Sequence, residues 1–316
     1  MDDDLDILNQ ANYRGARLLA KGMEGSVYLL HDGTVGKVPH SSGPSAAQDD
    51  GFGTALATRS FPFAVPAPLG TTDLSDGRTM RIERLLPGRP LDDFYDPTLG
   101  ALNSHVVTAV GDVLAGLREL QFEVPARTIL DGERYDATVD TWADTLVSLG
   151  HRRFAKFGKQ LRARDPDVRR TVSDLLTFLA SRRDIEPRVI HGDICGANVL
   201  VDDDCHVTAV IDWGFFSVLA EPELDAAIAS AVLDMYGPHA ADIEGELTDA
   251  LVERFDLNRD ALVAYKGVYA LMTSNVYSPD GTDGHFAWCS AILARPDVQA
   301  AAATFAERAE IRVEAL

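Results

Sequence analysis

The sequence predicts an α+β chain of two lobes, a β-rich N-terminal lobe and a mostly helical C-terminal lobe, and three observations carry that prediction. Up to about residue 82 the apolar residues fall in short runs rich in Val, Leu and Ile, bounded by Gly, Asp and Pro, as strands do. Pro87-Gly88-Arg89-Pro90 then breaks the chain, because proline fixes its backbone and lacks a donor. Beyond it the pattern is largely helical. The expected division is 1–82 for the first lobe, 83–90 for a hinge and 91–316 for the second, with a ligand cleft between the lobes.

In chain order, strands are expected at 16–20, 27–31, 34–38 and 79–84. Asp32-Gly33 has the spacing of a two-residue hairpin, whose central positions both favour residues that tolerate positive φ. One helix, 45–59, interrupts the strands, although Gly51 and Gly53 each cost it roughly 1 kcal/mol relative to Ala. Helices follow at 103–120, 136–149, 166–181, 223–236, 243–255, 259–277 and 286–293. Short β segments at 188–191, 199–201 and 207–213 lie among them, and no internal repeat is present.

The 316 residues carry 29 basic and 49 acidic side chains, a formal net charge of -20. A field of that sign repels nucleic acid and anionic lipid and attracts cationic ligands, so neither nucleic acid nor a membrane is an expected partner. From Glu221 onward 17 acidic residues face 6 basic ones, whereas 152–170 holds 8 basic and 2 acidic residues. The basic run reads as a solvated helix face without a role. No apolar stretch approaches the ~18 residues of a membrane span, and the acidic start does not resemble a secretory signal. Cys195, Cys205 and Cys289 imply no disulfide framework, and the expectation is a cytoplasmic protein, monomer or homodimer.

The densest polar signal is His191-Gly192-Asp193-Ile194-Cys195-Gly196-Ala197-Asn198, followed by Ile211-Asp212-Trp213. In a protein-kinase catalytic loop the base Asp precedes a metal-binding Asn by five positions, and a second metal Asp follows on the next hairpin. Here Asp193 precedes Asn198 by five and Asp212 lies fourteen further on. The stretch from His191 to Asp225 resembles the aminoglycoside and antibiotic phosphotransferases, a protein-kinase-like family in which HGDxxxxN and IDW or IDxG replace HRDxxxxN and DFG. It is most similar to the hygromycin-type kinases, whose segment also reads VIDW.

The resemblance implies a protein-kinase-like two-lobe fold, Mg²⁺ as cofactor, ATP or GTP as phosphoryl donor and a small hydroxyl-bearing acceptor. Phosphoryl transfer asks mainly for positioning and charge neutralisation. Asp193 is therefore expected to take the acceptor's proton or to orient its hydroxyl. Asn198 and Asp212 supply oxygen ligands suited to Mg²⁺. His191 is expected to hydrogen-bond the backbone around Asp212 and so to fix the loop.

The first lobe should then hold the nucleotide. Gly22, Gly25 and Ser26 lie between two strands, where glycine lets backbone N–H groups approach phosphates, though a plain turn explains them equally well. Lys37, twelve residues past Gly25, is placed like the strand lysine that pairs with the α and β phosphates. Gly36-Lys37 is not a Walker A motif, since Val38 stands where Ser or Thr must be and His31 where the first Gly must be. Kinase-like folds orient this lysine with a glutamate from the small-lobe helix; 45–59 offers only Asp49 and Asp50, of which Asp50 is the choice. The segment 82–88, with Glu83 and Leu85, resembles the family's hinge, whose backbone recognises the purine edge.

Glu221-Pro222-Glu223-Leu224-Asp225 resembles the family's GDPxxD turn, whose last Asp buttresses the catalytic loop; Asp225 could equally serve the N-terminus of its helix. Trp213, Tyr236 and Trp288, with Tyr265, Tyr269 and Tyr277, are candidate walls of the acceptor pocket or residues of the core. A zinc reading of His191, Cys195, Cys205 and His206 lacks any CxxC or HxxxH spacing. Three functions stay open: a kinase of a cationic antibiotic that confers resistance, a kinase of a metabolite such as choline, homoserine or a sugar, and a non-catalytic nucleotide-binding or sequestering protein.

Overall fold

Short apolar runs in the first eighty residues assemble into one antiparallel sheet of five strands. The structure, a computed structural model, describes residues 3–22, 25–41, 51–120, 124–214 and 216–314, the last six by backbone alone. After helix α1 (Asp3–Gln10) come β1 (Arg17–Lys21), β2 (Gly25–Leu29), β3 (Thr34–Pro39), helix α2 (Phe52–Ala57), β4 (Pro68–Asp73) and β5 (Thr79–Arg84). The strand order is β1-β2-β3-β5-β4.

Alternation along the strands gives the sheet two faces. On one, Tyr28, Leu30, Val38, Leu74 and Met80 bury against Leu8 of α1. Such a Leu, 0% exposed, contributes about 1.5–3 kcal/mol. Asp4 fastens the same helix, accepting from Arg78 Nη2 at 2.5 Å and from Tyr28 Oη at 3.0 Å. Neither α1 nor β4 is among the expected elements. No residue of β4 is buried, so it lacks the inside–outside alternation that identifies a strand.

The Asp32-Gly33 hairpin differs from expectation. Gly33 alone has positive φ, +81°, and its N–H donates to Leu30 O at 3.1 Å while Leu30 N–H donates to Thr34 O. That is a three-residue loop closed by a left-handed glycine, not a two-residue turn. The Asp32 carboxylate accepts from Thr34 N–H and Oγ1, which favours the turn residue at its centre. Ser75-Asp76-Gly77 repeats the arrangement. In place of the 45–59 helix, α2 begins at Phe52, after Gly51 at φ +83°; residues 42–50, including Asp49 and Asp50, lie outside the described residues.

The second lobe contains β6 (Arg89–Pro90), α3 (Ser104–Arg118), β7 (Arg127–Thr128), β8 (Arg134–Tyr135), α4 (Trp142–Arg164), α5 (Val168–Ala180), β9 (Arg188–Val189), β10 (Val199–Val201), β11 (Val207–Val210), β12 (Leu219–Ala220) and α6 (Pro222–Val232). It closes with α7 (Ala240–Phe255), α8 (Arg259–Thr273), α9 (Gly284–Leu293) and α10 (Pro296–Glu314). Helix α4 starts six residues later than expected because Asp136 accepts from Thr138 in a local turn, and Thr141 is the true cap, accepting from Asp144 N–H. It then runs through the basic stretch to Arg164. The Ala-rich α10, also absent from the expected elements, buries Val298, Ala301 and Ala302 and packs on α5 and α8. No helix among the described residues is long and apolar enough to cross a membrane.

Among the described residues main-chain attachments join the lobes at two places, and Phe52, Leu56 and Phe63 add side-chain packing against the second lobe's core. β5 runs through Glu83 to Arg84, so the linking segment begins at Leu85, and β6 already pairs with β10. Between them Gly88, at φ +116°, lies so close to β11 that a Cβ would stand 2.3 Å from Thr208 Oγ1. That hydroxyl donates to Pro87 O at 2.7 Å. Separately, Ala64 N–H donates to Thr208 O and Val210 N–H to Ala64 O, a parallel bridge from the first lobe onto β11.

Candidate active site

The loop between β9 and β10 is shaped by its glycines. Gly192 has φ +78°, and a Cβ there would stand 2.4 Å from that of Phe216; one on Gly196 would stand 1.8 Å from Asp92 Oδ1. At Gly192 the obstruction includes backbone and the φ is positive, so no other residue fits without strain; at Gly196 a side chain would have to displace the Asp92 carboxylate.

Those supports are buried and directed at backbone atoms. Asp225, 1% exposed in the first turn of α6, accepts from His191 N–H and Gly192 N–H at 2.8 Å each. Of the two roles left open for Asp225, the geometry is that of the buttress. Burial raises its acid to about 6, against the two N–H donors and the Arg118 charge. Ser217 Oγ donates to His191 O at 2.6 Å, and Arg127 Nη1 donates to Ser217 O at 2.5 Å. His191 is 0% exposed, and burial lowers its pKa to about 4. It is therefore neutral near pH 7. Nδ1 accepts from Asp193 N–H at 3.2 Å, which leaves the proton on Nε2 to bond Ile211 O at 2.9 Å.

This last bond ties the loop to the residue before Asp212, as does Ile211 N–H donating to Asn198 O. Asn198 Nδ2 donates to Asp193 O at 2.9 Å and to Asp193 Oδ2 at 3.1 Å, fixing that carboxylate. The Asn198 Oδ1 is left for another partner. Asp212 holds φ +66°, a conformation Asp tolerates better than most residues. Its side chain is 64% exposed. Lys37 Nζ lies 3.1 Å from Asp212 Oδ1 and holds the Asp212 acid below the ordinary carboxylate range, against the opposing effect of burial. Lys37 thus reaches from β3 to the second lobe, and the four residues are linked in series: Asp193 to Asn198, Asn198 through the Ile211 backbone to Asp212, and Asp212 to Lys37.

The remaining first-lobe residues are placed differently. Gly25 lacks room for a side chain because a Cβ would stand 2.3 Å from Val38 O, which is sheet packing rather than evidence of a phosphate cradle. Gly22 closes the turn, its N–H donating to Gly25 O. Ser26 pairs with Val38 in register, and its side chain is buried on the α1 face, opposite Lys37. Its hydroxyl does not face the cleft, contrary to expectation. Leu85 is 44% exposed in the linking segment. Glu83 is not in that segment but in β5, with Oε2 3.5 Å from Lys37 Nζ.

Trp213 is a packing residue. Its ring lies 4.8 Å from His191, 5.9 Å from Phe61 and 6.2 Å from Phe52, and Nε1 donates to Val210 O. Tyr265 belongs to the core, against Phe178 and accepting from Arg182 Nε. Tyr236, Tyr269, Tyr277 and Trp288 instead gather around His285, which sequence reasoning missed: Tyr236 Oη is 3.1 Å from His285 Nδ1, and Trp288 stacks on the imidazole at 6.0 Å. Burial first, then the neighbouring Cys289, Asp283 and Asp193, raises the Tyr236 phenol to about 12. The Asp193 field acts on Tyr269 too. This aromatic wall therefore lies within electrostatic reach of Asp193.

Residues 15–257 match the family model described as the phosphotransferase enzyme family, APH. No curated protein matches the chain in sequence. Among solved structures, aminoglycoside phosphotransferase APH(4)-Ia is similar at 17% identity and a TM-score of 0.71, covering 94% of this chain and 97% of that one. A thermostable mutant of that protein in ternary complex with ADP and hygromycin B gives 15% identity and a TM-score of 0.68, covering 95% and 99%. The gentamicin complex of APH(2")-IIa gives 14% and 0.62, covering 95% and 98%. At such identities the likeness establishes the fold, a two-lobe kinase-like one.

Proposed function

The chain belongs to the phosphotransferase enzyme family, and from that premise we propose that it moves the γ-phosphoryl group of ATP or GTP to a hydroxyl of a small, cationic, aminoglycoside-like antibiotic, conferring resistance. The observation that carries this reading is the linkage of Lys37, Asp212, Asn198 and Asp193 through contacts that join the two lobes. The first lobe, with Lys37 at its centre and the backbone near Leu85 at its edge, takes the nucleotide. The second supplies the reacting groups and the acceptor site.

Asp193 sits in a single orientation because Asn198 holds one of its oxygens. It orients the acceptor hydroxyl and takes its proton as the bond to phosphorus forms, and Lys37 stabilises the charge of the nucleotide phosphates. Asn198 Oδ1 and the open Asp212 carboxylate are hard oxygen donors from two segments, which fits Mg²⁺ held with few protein ligands. Mg²⁺ bound there supplies neutralisation of phosphate charge. Asp225 and His191 act beneath, on the loop backbone. The acceptor class rests on the acidic field, with net charge -20, and on the wall of Tyr236 and Trp288, since aromatic faces and carboxylates both attract ammonium groups.

The test is a mass-spectrometric screen of the protein with Mg-ATP or Mg-GTP and a panel of cationic antibiotics, amino alcohols and sugars, run beside Asp193→Asn. An antibiotic that gains a phosphoryl group only with the wild-type protein supports the proposal. Phosphorylation of choline, homoserine or a sugar alone moves the substrate to a metabolite. Nucleotide binding with no product in the panel, together with tight retention of an unmodified cation, replaces catalysis by sequestration.

A further inference from the structure

Opposed residues of antiparallel strands share a face. Lys37 of β3 is opposite Arg81 of β5, and Val35 is opposite Glu83, so Lys37, Arg81 and Glu83 all stand on the face turned away from α1. The Glu83 side chain is only 8% exposed. A carboxylate so deeply placed is tolerated when cations compensate it, and two do. Oε2 is 3.5 Å from Lys37 Nζ, and Oε1 is 2.7 Å from Arg81 Nε. Lys37 is thus held by Glu83 from its own sheet and by Asp212 from the other lobe.

We propose that Glu83 is the residue that positions Lys37 for the nucleotide phosphates, a task kinase-like folds assign to a glutamate on the small-lobe helix. The inference rests on the phosphotransfer reading above. A lysine has a long, flexible stem whose freedom must be lost before the ammonium holds one place. Pairing with Glu83 removes that freedom in advance. Because β3 and β5 are hydrogen-bonded neighbours, the distance between lysine and carboxylate is fixed by sheet register. Lys37 is therefore in place before nucleotide arrives and does not depend on where α2 stands. Arg81 completes the arrangement by compensating the second Glu83 oxygen, so that Glu83 retains a partner when Lys37 turns to phosphate.

The test is a double-mutant cycle on Mg-nucleotide affinity, measured calorimetrically with ATP or GTP, whichever binds more tightly. Lys37→Ala is expected to weaken binding about tenfold or more, and Glu83→Gln about tenfold, the range for charged groups in contact. With Lys37 already Ala, Glu83→Gln is expected to cost less than about twofold, because its target is gone. The KM of the acceptor should stay unchanged throughout. Equal losses from Glu83→Gln in both backgrounds would make Glu83 merely structural and overturn the proposal. Loss on Lys37→Ala with none on Glu83→Gln overturns the positioning role alone, whereas no loss on Lys37→Ala removes the nucleotide site and with it the phosphotransfer reading. Should Glu83→Gln not fold, Glu83→Asp keeps the charge one methylene shorter; it is expected to lose about threefold, again only while Lys37 is present.

Discussion

His191 and Gly192 give their backbone N–H groups to a buried carboxylate, and His191 its carbonyl to a buried serine, whereas Tyr236 and Tyr277 on the neighbouring wall leave 64% and 40% of their surface exposed. The loop is held from beneath through its main chain, by residues that touch nothing in the cleft. The wall is held through side-chain edges, ring on ring, around one imidazole. Main-chain anchorage leaves the identities of the loop's outward residues free for chemistry and its geometry indifferent to what binds. Side-chain anchorage makes the wall replaceable residue by residue. In this chain phosphoryl transfer is therefore built in rigidly, and the choice of acceptor is not.

The largest effect should come from the loop's outward residue. Asp193→Asn is expected to lower kcat roughly 10²- to 10⁴-fold while nucleotide affinity stays within about twofold in calorimetry; a variant with near wild-type kcat would break the assignment of chemistry to the loop. Next is the anchorage itself. Asp225→Ala orphans two buried N–H groups, at about 1–3 kcal/mol each, so the thermal midpoint should fall by about 5 °C or more and kcat by about tenfold. An unchanged midpoint would mean that the loop is not held from beneath.

A pH series sharpens the same point. His191, lowered to about 4, contributes stability that is full above its ordinary pKa near 6.5 and lost as pH falls from there through about 4. Asp225, raised to about 6, does the reverse: its contribution is full below the ordinary carboxylate range and is lost as pH rises through about 6. Between pH 4 and 6 the two oppose each other. In Asp225→Asn only the histidine remains, so urea midpoints should show that variant losing stability relative to wild type, by up to ~1.4 kcal/mol per pH unit, as pH drops from 6 to 4. Parallel profiles for the two proteins would remove the link between buried carboxylate and loop. The smallest effect belongs to the wall. Tyr236→Phe, which removes the hydroxyl beside His285, should change acceptor KM about threefold and leave kcat and nucleotide KM alone; a shift in nucleotide KM would merge the two regions.

What could be read in the sequence follows the same division. Asp193, Asn198 and Asp212 were legible because short-range spacing on one loop and one hairpin carries them. Asp225 was legible as a position but not as a role, since a carboxylate in the first turn of a helix has two uses and only the burial of His191 and Gly192 decides between them. Glu83 was noticed for its backbone, but its side chain acquires a meaning only through strand register with β3, a relation between residues 46 positions apart. His285 carries one local signal, Trp288 three residues on in the same helix, but its other neighbours come from α8, the segment after it and the segment after α6 and meet only in the fold. Ser26 misled because a hydroxyl next to glycine looks alike on either face of a pleat. In the fold, α10 hid behind alanines, which form helices readily but print no apolar stripe.

The two attachments between the lobes have a mechanical consequence. One is covalent, the chain through Leu85 and Leu86, clamped just beyond by Gly88 against Thr208; the other is the Ala64 bridge on the same strand, β11. Both bear on Thr208, in a strand that ends two residues before Asp212, and the rings of Phe52 and Phe61 add packing on Trp213 just after it. The first lobe therefore takes its seat from the same short stretch that presents Asp212, so Lys37 and Asp212 share one mechanical reference.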